Sequence, residues 1–344
     1  MTKTSDARFG ATKRFPIRGH TGYVLALLAV SVVLMPVSKL ISPSLGSWTT
    51  VSAILVVSSM LALVGFGQGL VILVGELDLS LPSTVALAGV LTTAWLSVTP
   101  SVLTFLQILG IAAVIGLVNG IGVAFLRVPS FIMTLGMQLI VAGAALGYTK
   151  GTVPGTTPDF LASVMLGKWW GIPIPIFLLV GMAVVGTVIQ QYTRFGRKLY
   201  AVGSNRATAE LVGLRVGLIV TGAFVVSAIA AALTGMMLVG YGGGATLGMG
   251  DVYFLSSIAV VVVGGSSILG GRGSFLGTVA AAIFLTTIAT LIQAVGISQG
   301  WQTFIYGFLI VAVIGLLNRD LYARAFAPVS RLMQRGRSAP AAAN

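Results

Sequence analysis

Apolar residues fill this chain in long blocks rather than alternating with polar ones. Blocks long enough to cross roughly 30 Å of hydrocarbon occur at about Tyr23–Ile41, Thr49–Val74, Leu79–Val98, Ser101–Phe125, Ser130–Tyr148, Pro173–Gln191, Val216–Tyr241, Val252–Leu269, Ser274–Val295 and Trp301–Leu317. The pattern predicts an all-α protein of about ten transmembrane helices. Two cuts rest on turn chemistry. Leu79 to Leu126 as one helix would be roughly 70 Å long at 1.5 Å per residue, so it is divided at Thr99-Pro100. The second cut falls at Gly270-Gly271-Arg272-Gly273, where glycines and one charge mark a tight turn. A basic stretch before Tyr23 looks faintly like a signal peptide, but the apolar run continues through Leu40 with no small-residue cleavage site, so an uncleaved first span is expected.

Composition agrees with a lipid solvent. Of 344 residues 56% are hydrophobic and 8% charged, where a soluble domain carries about 25% charged residues. The net charge of +13 raises nucleic-acid binding as a question, but the cations sit in short connectors and in the two tails rather than along one face, so no nucleic acid is expected. There are no cysteines, and the single histidine, His20, lies in the N-terminal stretch. Thiolate or histidine-cluster metal sites and a Ser/His/Asp triad are therefore excluded.

Charge also orients the spans. An even number puts both termini on one side, and that side then collects seventeen of the twenty cations: Lys3, Arg8, Lys13, Arg14, Arg18, Arg127, the five of the segment after the sixth span, Arg272, Arg319, Arg324, Arg331, Arg335 and Arg337. Lys39, Lys150 and Lys168 fall on the other side. By the positive-inside bias both tails, residues 1–22 and 319–344, are expected in the cytoplasm, and residues 23–318 form the membrane domain.

The segment after the sixth span, TRFGRKLYAVGSNRATAELVGLRV (Thr193 to Val216), holds Arg194, Arg197, Lys198, Arg206 and Arg215 against the single acid Glu210. Asn205 or Ser204 is placed to cap a short helix from Arg206 to Leu214, on which Ala209, Leu211 and Val212 offer apolar contacts. Such an element suits either a handle for a cytoplasmic motor or a basic segment resting on anionic headgroups. On the opposite side, Thr149 to Ile172 carries Trp169-Trp170 and reads as an interfacial loop or a docking surface.

Other motifs admit two readings each. Gly75-Glu76-Leu77-Asp78-Leu79-Ser80 sets two carboxylates at the end of a span, where Asp78 or Ser80 caps the third helix or the carboxylates serve a pathway. Asn119, in a helix spaced by Gly110, Gly116 and Gly120, is either interhelical glue or a group facing a hydroxyl-bearing solute. Gly235, Gly240 and Gly242-Gly243-Gly244, ending near Asp251, are expected in an external re-entry. Gly264 to Gly273 lacks the Gly-Lys-Ser/Thr ending of a P-loop and follows a membrane helix, so it is a helical hairpin turn with Arg272 toward the cytoplasm and not a nucleotide site.

Four blocks in order, GQGLVILVGELDLSLPS, GLVNGIGVAFLRVPSFIMTLG, the Thr193–Val216 connector, and LSSIAVVVVGGSSILGGRGSFLGT followed by GISQGWQTFIYG, resemble the permease subunits of bacterial ABC importers of the ribose, xylose and galactose type, within the branched-chain permease superfamily. The likeness runs from about Gly67 to Ile314 and departs at Glu76, where members commonly have a second glycine. It implies the ABC importer permease fold, the bacterial inner membrane, and import of a monosaccharide delivered by a periplasmic sugar-binding protein. A second permease subunit, identical or not, and a cytoplasmic ATPase that carries the ATP and Mg are implied as partners, along with membrane lipid. This chain then has no cofactor and no enzymatic step of its own. By the same resemblance residues 193–215 form the coupling element, with Arg197, Ala201, Gly203, Asn205, Glu210 and Arg215 toward the ATPase, while Asn119, Phe131, Thr134 and Gln138 lie near the pathway. A branched-chain amino acid permease shares the fold. An ion-driven secondary transporter or a passive channel are rivals from other classes, and the want of mid-membrane carboxylates counts against the ion-driven one.

Overall fold

The computed structural model describes residues 17–39 and 43–317. In chain order the helices are α1 (Ile17–Ser38), α2 (Trp48–Leu73), α3 (Leu81–Leu91, continuing as a π turn over Thr92–Leu96), α4 (Val102–Ala124), α5 (Ser130–Thr149), α6 (Asp159–Leu166), α7 (Ile174–Thr187, continuing over Val188–Tyr192), α8 (Arg194–Ser204), α9 (Arg206–Leu211), α10 (Val216–Gly242), α11 (Tyr253–Val263), α12 (Phe275–Ala294) and α13 (Gln299–Leu317). A two-residue hairpin, β1 (Lys168–Trp169) and β2 (Ile172–Pro173), is the one departure from an all-helical fold among the described residues. The basic tails, including Arg18 and His20 as side chains and all cations from Arg319 onward, lie outside what is described.

All ten expected apolar segments contain a helix, but their lengths differ from expectation. Among the described residues six helices are long and apolar enough to cross a membrane: α2, α4, α5, α7 with its extension, α10 and α12. Four apolar helices are shorter, including Leu81–Leu96 and Tyr253–Val263. The expected spans Leu79–Val98 and Val252–Leu269 are met by shorter helices: Leu81–Leu96 including the π turn, and Tyr253–Val263, which is 11 residues long and joined to non-helical chain. Gly75 explains the first. It ends α2 at φ 84° in a left-handed turn, with Gly75 N–H donating to Ile72 and Glu76 N–H to Val71, a pairing that satisfies the last carbonyls of the helix. Chain in such a turn cannot continue as a helix, and Pro82 at the start of α3 resets the direction.

The start of α3 meets the chain that leads into α11. Pro82, at the start of α3, and Gly250, three residues before Tyr253 opens α11, are so close that a side chain at Gly250 would strike the Pro82 carbonyl. The glycines expected together in an external re-entry are divided: Gly235 and Gly240 belong to α10 itself, and the chain after α10 is exposed or half-buried except at Gly250. Gly235 lets α10 pack onto the α3 backbone at Val85 and Gly240 lets it pack onto Leu161 of α6. The helices α2 and α10 form the centre, with Met60, Leu70, Ile72, Leu73, Phe224 and Met236 fully buried. Around them α4, α5 and α7 show apolar side chains outward, as at Leu103, Leu139 and Val184, which is what a lipid-facing surface requires.

Residues 74–80 are non-helical chain that runs from the exposed Gly75 to the buried Asp78, Leu79 and Ser80, and hydrogen bonds from three other helices hold them. Asp78, 1% exposed, accepts from Ser80 Oγ (2.6 Å) and Ser80 N–H (3.0 Å) on one oxygen and from Ser227 Oγ of α10 (2.9 Å) on the other. Asn119 of α4 donates to Ser80 Oγ at 2.8 Å. Thr134 of α5 accepts from Leu79 N–H at 3.0 Å, and Ser130 accepts from Leu77 N–H at 3.2 Å. Ser227 sits about 16 Å along α10 from its first residue at 1.5 Å per residue, so Asp78 lies deep in the bundle. The expectation that both carboxylates sit at a span end holds for Glu76 and is corrected for Asp78. The capping readings divide: Ser80 occupies the N-cap of α3 but its side chain makes no capping bond, being committed to Asp78, whereas Asp78 does take one orphan donor at this helix start, the N–H of Ser80.

Two stability predictions follow from this packing. Asp78→Ala leaves two hydroxyls and one N–H unpaired in an apolar interior, at about 1–3 kcal/mol for each group, so the thermal midpoint of the detergent-solubilised protein falls more than for Ser227→Ala; equal or negligible losses would show the cluster to be idle. Gly235→Val drives two methyls into the Val85 carbonyl and is expected to cost about 1–3 kcal/mol by overpacking, read in the same melting assay against Gly242→Val, whose site is open.

Candidate functional site

The polar connector folds as two capped helices. Thr193 accepts from Gly196 N–H at 3.1 Å and starts α8, and Asn205 accepts from Thr208 N–H at 2.9 Å and starts α9. The expected helix from Arg206 ends at Leu211 rather than Leu214, closed by Gly213 at φ 80°. Helix α8 was not anticipated, although Gly196, Leu199 and Val202 at helical spacing give it one buried face. The opposite side of each helix is open. Arg197, Ala201, Asn205, Glu210 and Arg215 are all exposed, and the tip of α9 presents Leu211, 87% exposed, and Val212, 70% exposed. Ala209 is instead buried under α9. Two large apolar side chains at a capped tip, ringed by charge, form a surface suited to docking.

Gly203 differs from the other expected contact residues, because it faces the bundle. It sits against the Leu73 carbonyl at the end of α2 and against the Gly271 amide, with no room for a Cβ, so its place is in packing rather than at an outer partner. Around it three stretches of backbone converge: the end of α8, the turn after α2, and the turn between α11 and α12. Gly271 N–H donates to the Leu73 carbonyl at 2.9 Å. Tyr200 Oη donates to the Gly273 carbonyl at 2.6 Å, and burial pushes its hydroxyl up to about 12, so it remains a donor throughout the physiological range. The Gly264–Gly273 stretch is a hairpin turn, as its sequence suggested, closed by Ser267 N–H to the Arg272 carbonyl at 2.8 Å. One ion pair adds to the junction: Arg206 Nη1 lies 3.2 Å from Glu76 Oε1.

The four expected pathway residues do not share one cavity. Asn119 and Thr134 are fully buried and bonded to the 74–80 segment. Phe131 is 55% exposed on the outer face of α5, and Gln138, half-buried, has its Oε1 enclosed without a partner. Asn119 Oδ1 is likewise buried and unpartnered. Ser227 completes this cluster and was missed; its only signal in sequence is a hydroxyl in the middle of an apolar helix. At the far end of the bundle the Trp169-Trp170 pair caps the β-hairpin with ring centroids 5.2 Å apart, and Trp170 is 87% exposed.

Chain connectivity places Arg127, the connector cations and Arg272 at one end of the bundle and Lys39, Lys150 and Lys168 at the other. Among the described residues no group of His, Cys, Asp and Glu is arranged to hold a metal ion.

Comparison with known proteins gives this geometry a family. The ribose import permease protein RbsC of Haemophilus influenzae is 32% identical over 289 residues, covering 82% of this chain and 89% of that protein. The galactose/methyl galactoside import permease protein MglC of Escherichia coli is 31% identical over 315 residues, covering 86% and 92%. The autoinducer 2 import system permease protein LsrC of an Enterobacter strain is 31% identical, covering 86% and 85%. No solved structure matches the chain. Residues 50–314 match the family described as the permease component of the branched-chain amino acid transport system. The long apolar helices, the half-helices between them and the external connector thus belong to a multi-pass membrane protein, and the chain is a member of that permease-component family.

Proposed function

We propose that this chain is the membrane-spanning subunit of an ATP-driven importer in the bacterial inner membrane, and that it passes a monosaccharide from a periplasmic binding protein to the cytoplasm. The observation that carries the reading is the exposed Leu211–Val212 tip on the capped connector helix α9, at the end of the bundle that collects the cations. The positive-inside bias supports placing that end, and both tails, in the cytoplasm. There the tip is a handle for an ATPase subunit, with Arg197, Glu210 and Arg215 around it as charged contacts and Ala201 and Asn205 on the same open face. Gly203 serves by holding α8 close to the bundle.

Ten crossings are kept in this reading, two of them discontinuous: residues 74–80 with α3, and residues 243–252 with α11. Half-helices that meet inside a bundle recur at solute sites of membrane transporters. The pathway is shared with a second permease subunit, identical or related, and Phe131 and Gln138 on α5 are the residues left open to it, while Asn119 and Thr134 shape it from behind. Trp169 and Trp170 lie at the outer lipid interface. The work of the chain is to favour outward- and inward-open states in turn, and the ATPase supplies the energy through contact; ATP and Mg belong to that subunit.

The sugar assignment draws support from the names of the ribose and galactose relatives. The family description supports branched-chain amino acids as the second reading. An ion-driven mechanism gains one point from the depth of Asp78, but both carboxylate oxygens there are already bonded to Ser80 and Ser227.

The test is reconstitution in proteoliposomes with the ATPase and binding protein that co-purify with the chain from its native membrane. Uptake of ribose or galactose is expected to require ATP, and a proton or sodium gradient without ATP should give none. Leucine uptake in place of sugar would select the second reading, and gradient-driven uptake would overturn the ATP-driven one. In the same vesicles Leu211→Glu with Val212→Glu is expected to lower solute-stimulated ATP hydrolysis at least ~10-fold, the scale of about 1.4 kcal/mol of lost contact; unchanged stimulation would remove the tip from the motor contact.

A further inference from the structure

Glu76 stands where a negative charge is costly without a partner. It follows directly on the C-terminal turn of α2, where the carbonyl ends of a helix disfavour a negative charge, and its side chain is only 16% exposed. The compensation comes from 130 residues away: Arg206, the first residue of α9, reaches it at 3.2 Å. Glu76 also stands two residues before Asp78, the fixed point of the 74–80 segment. The ion pair therefore joins the helix that carries the exposed Leu211–Val212 tip to the stretch of chain that feeds the half-helix α3.

We propose that Glu76–Arg206 is a coupling tether, a pair of positioning residues through which displacement of α9 is passed to the 74–80 segment and so to α3. The inference rests on the motor-driven reading above and deepens it by naming the link. The backbone junction at Gly203, Leu73 and Gly271 holds α8 against the bundle, but no backbone hydrogen bond among those around it ties α9 to residues 74–80. The ion pair supplies that tie. Ala209 of α9 also shares a buried apolar cluster with Leu73 and Val74, so removing the carboxylate loosens the tie between α9 and the segment rather than releasing it. Since Arg206 is 42% exposed, solvent screens the pair and the effect is graded rather than absolute.

The experiment measures solute molecules taken up per ATP hydrolysed by the full complex in proteoliposomes. Four variants are compared with the native chain: Glu76→Gln, Arg206→Gln, both together, and the exchange Glu76→Arg with Arg206→Glu. Each single variant is expected to lower the ratio ~3-fold, an amount in keeping with a partly exposed ion pair, while the ATPase still co-purifies in full. The double Gln variant is expected to be no worse than either single one, and the exchange should recover most of the ratio. A purely stabilising pair would lower the melting midpoint and leave the ratio unchanged, and that result overturns the proposal, as do additive losses in the double variant. Glu76→Gly guards against misfolding: it is expected to fold and to behave as Glu76→Gln, and a native ratio in it overturns the tether. Were the native chain itself to show no ATP-dependent uptake, the functional reading would fail and not the tether alone.

Discussion

Backbone polar groups placed in an apolar interior must find partners within the protein, and that requirement organises this molecule. A continuous helix meets it alone; residues 74–80 cannot. Their donors are satisfied piecemeal: Gly75 and Glu76 by the last turn of α2, Leu77 by Ser130, Leu79 by Thr134, and Ser80 by Asp78. Ser130 and Thr134 come from α5, and Asp78 and Ser80 are in turn held by Ser227 of α10 and Asn119 of α4, so the segment is ordered only when α4, α5 and α10 are assembled around it. In return it fixes where α3 begins and, through the Pro82 and Gly250 contact, where α11 begins. An unpaired group in such surroundings costs several kcal/mol, which makes the cluster around Asp78 a condition of the fold.

The same economy links the interior to the surface at the connector end. Glycines at 203 and 271 allow backbones to touch where side chains would hold them apart, and the bonds made there are short and direct. The connector is thus a lever set on a close-packed base, with its apolar tip outward and its charges around the tip. The far end of the bundle has a different character: a tight hairpin with two tryptophans in contact and few charges. Two ends so unlike suit a chain that meets a motor on one side and a delivered solute on the other.

Much of the architecture was legible because lipid imposes a coarse rule. Long apolar runs and the clustering of Arg and Lys in alternate connectors gave the helices and their grouping by end. The N-cap at Asn205 was readable from local chemistry, as was the turn at Gly264 to Gly273. The half-helices were not, because Leu77, Leu79 and Val252 keep the sequence apolar through stretches that are not helical, and hydropathy does not register a change of backbone. Gly203 was expected at the motor surface, since nothing in its neighbours tells that it faces inward. Asp78 was placed at a span end for want of Ser227, its partner 149 residues away. The Glu76–Arg206 pair spans a similar distance; local periodicity carries no trace of contacts that only the assembled bundle makes.

The central claim is that the Leu211–Val212 tip is an inner handle gripped by an ATPase. The chain has no cysteine, so Val212→Cys offers a single labelling site for a membrane-impermeant maleimide. The account predicts labelling in inside-out vesicles stripped of the ATPase, no labelling in right-side-out vesicles, and protection when the co-purifying ATPase is added back. Labelling from the outside, or labelling that the ATPase does not slow, would contradict it.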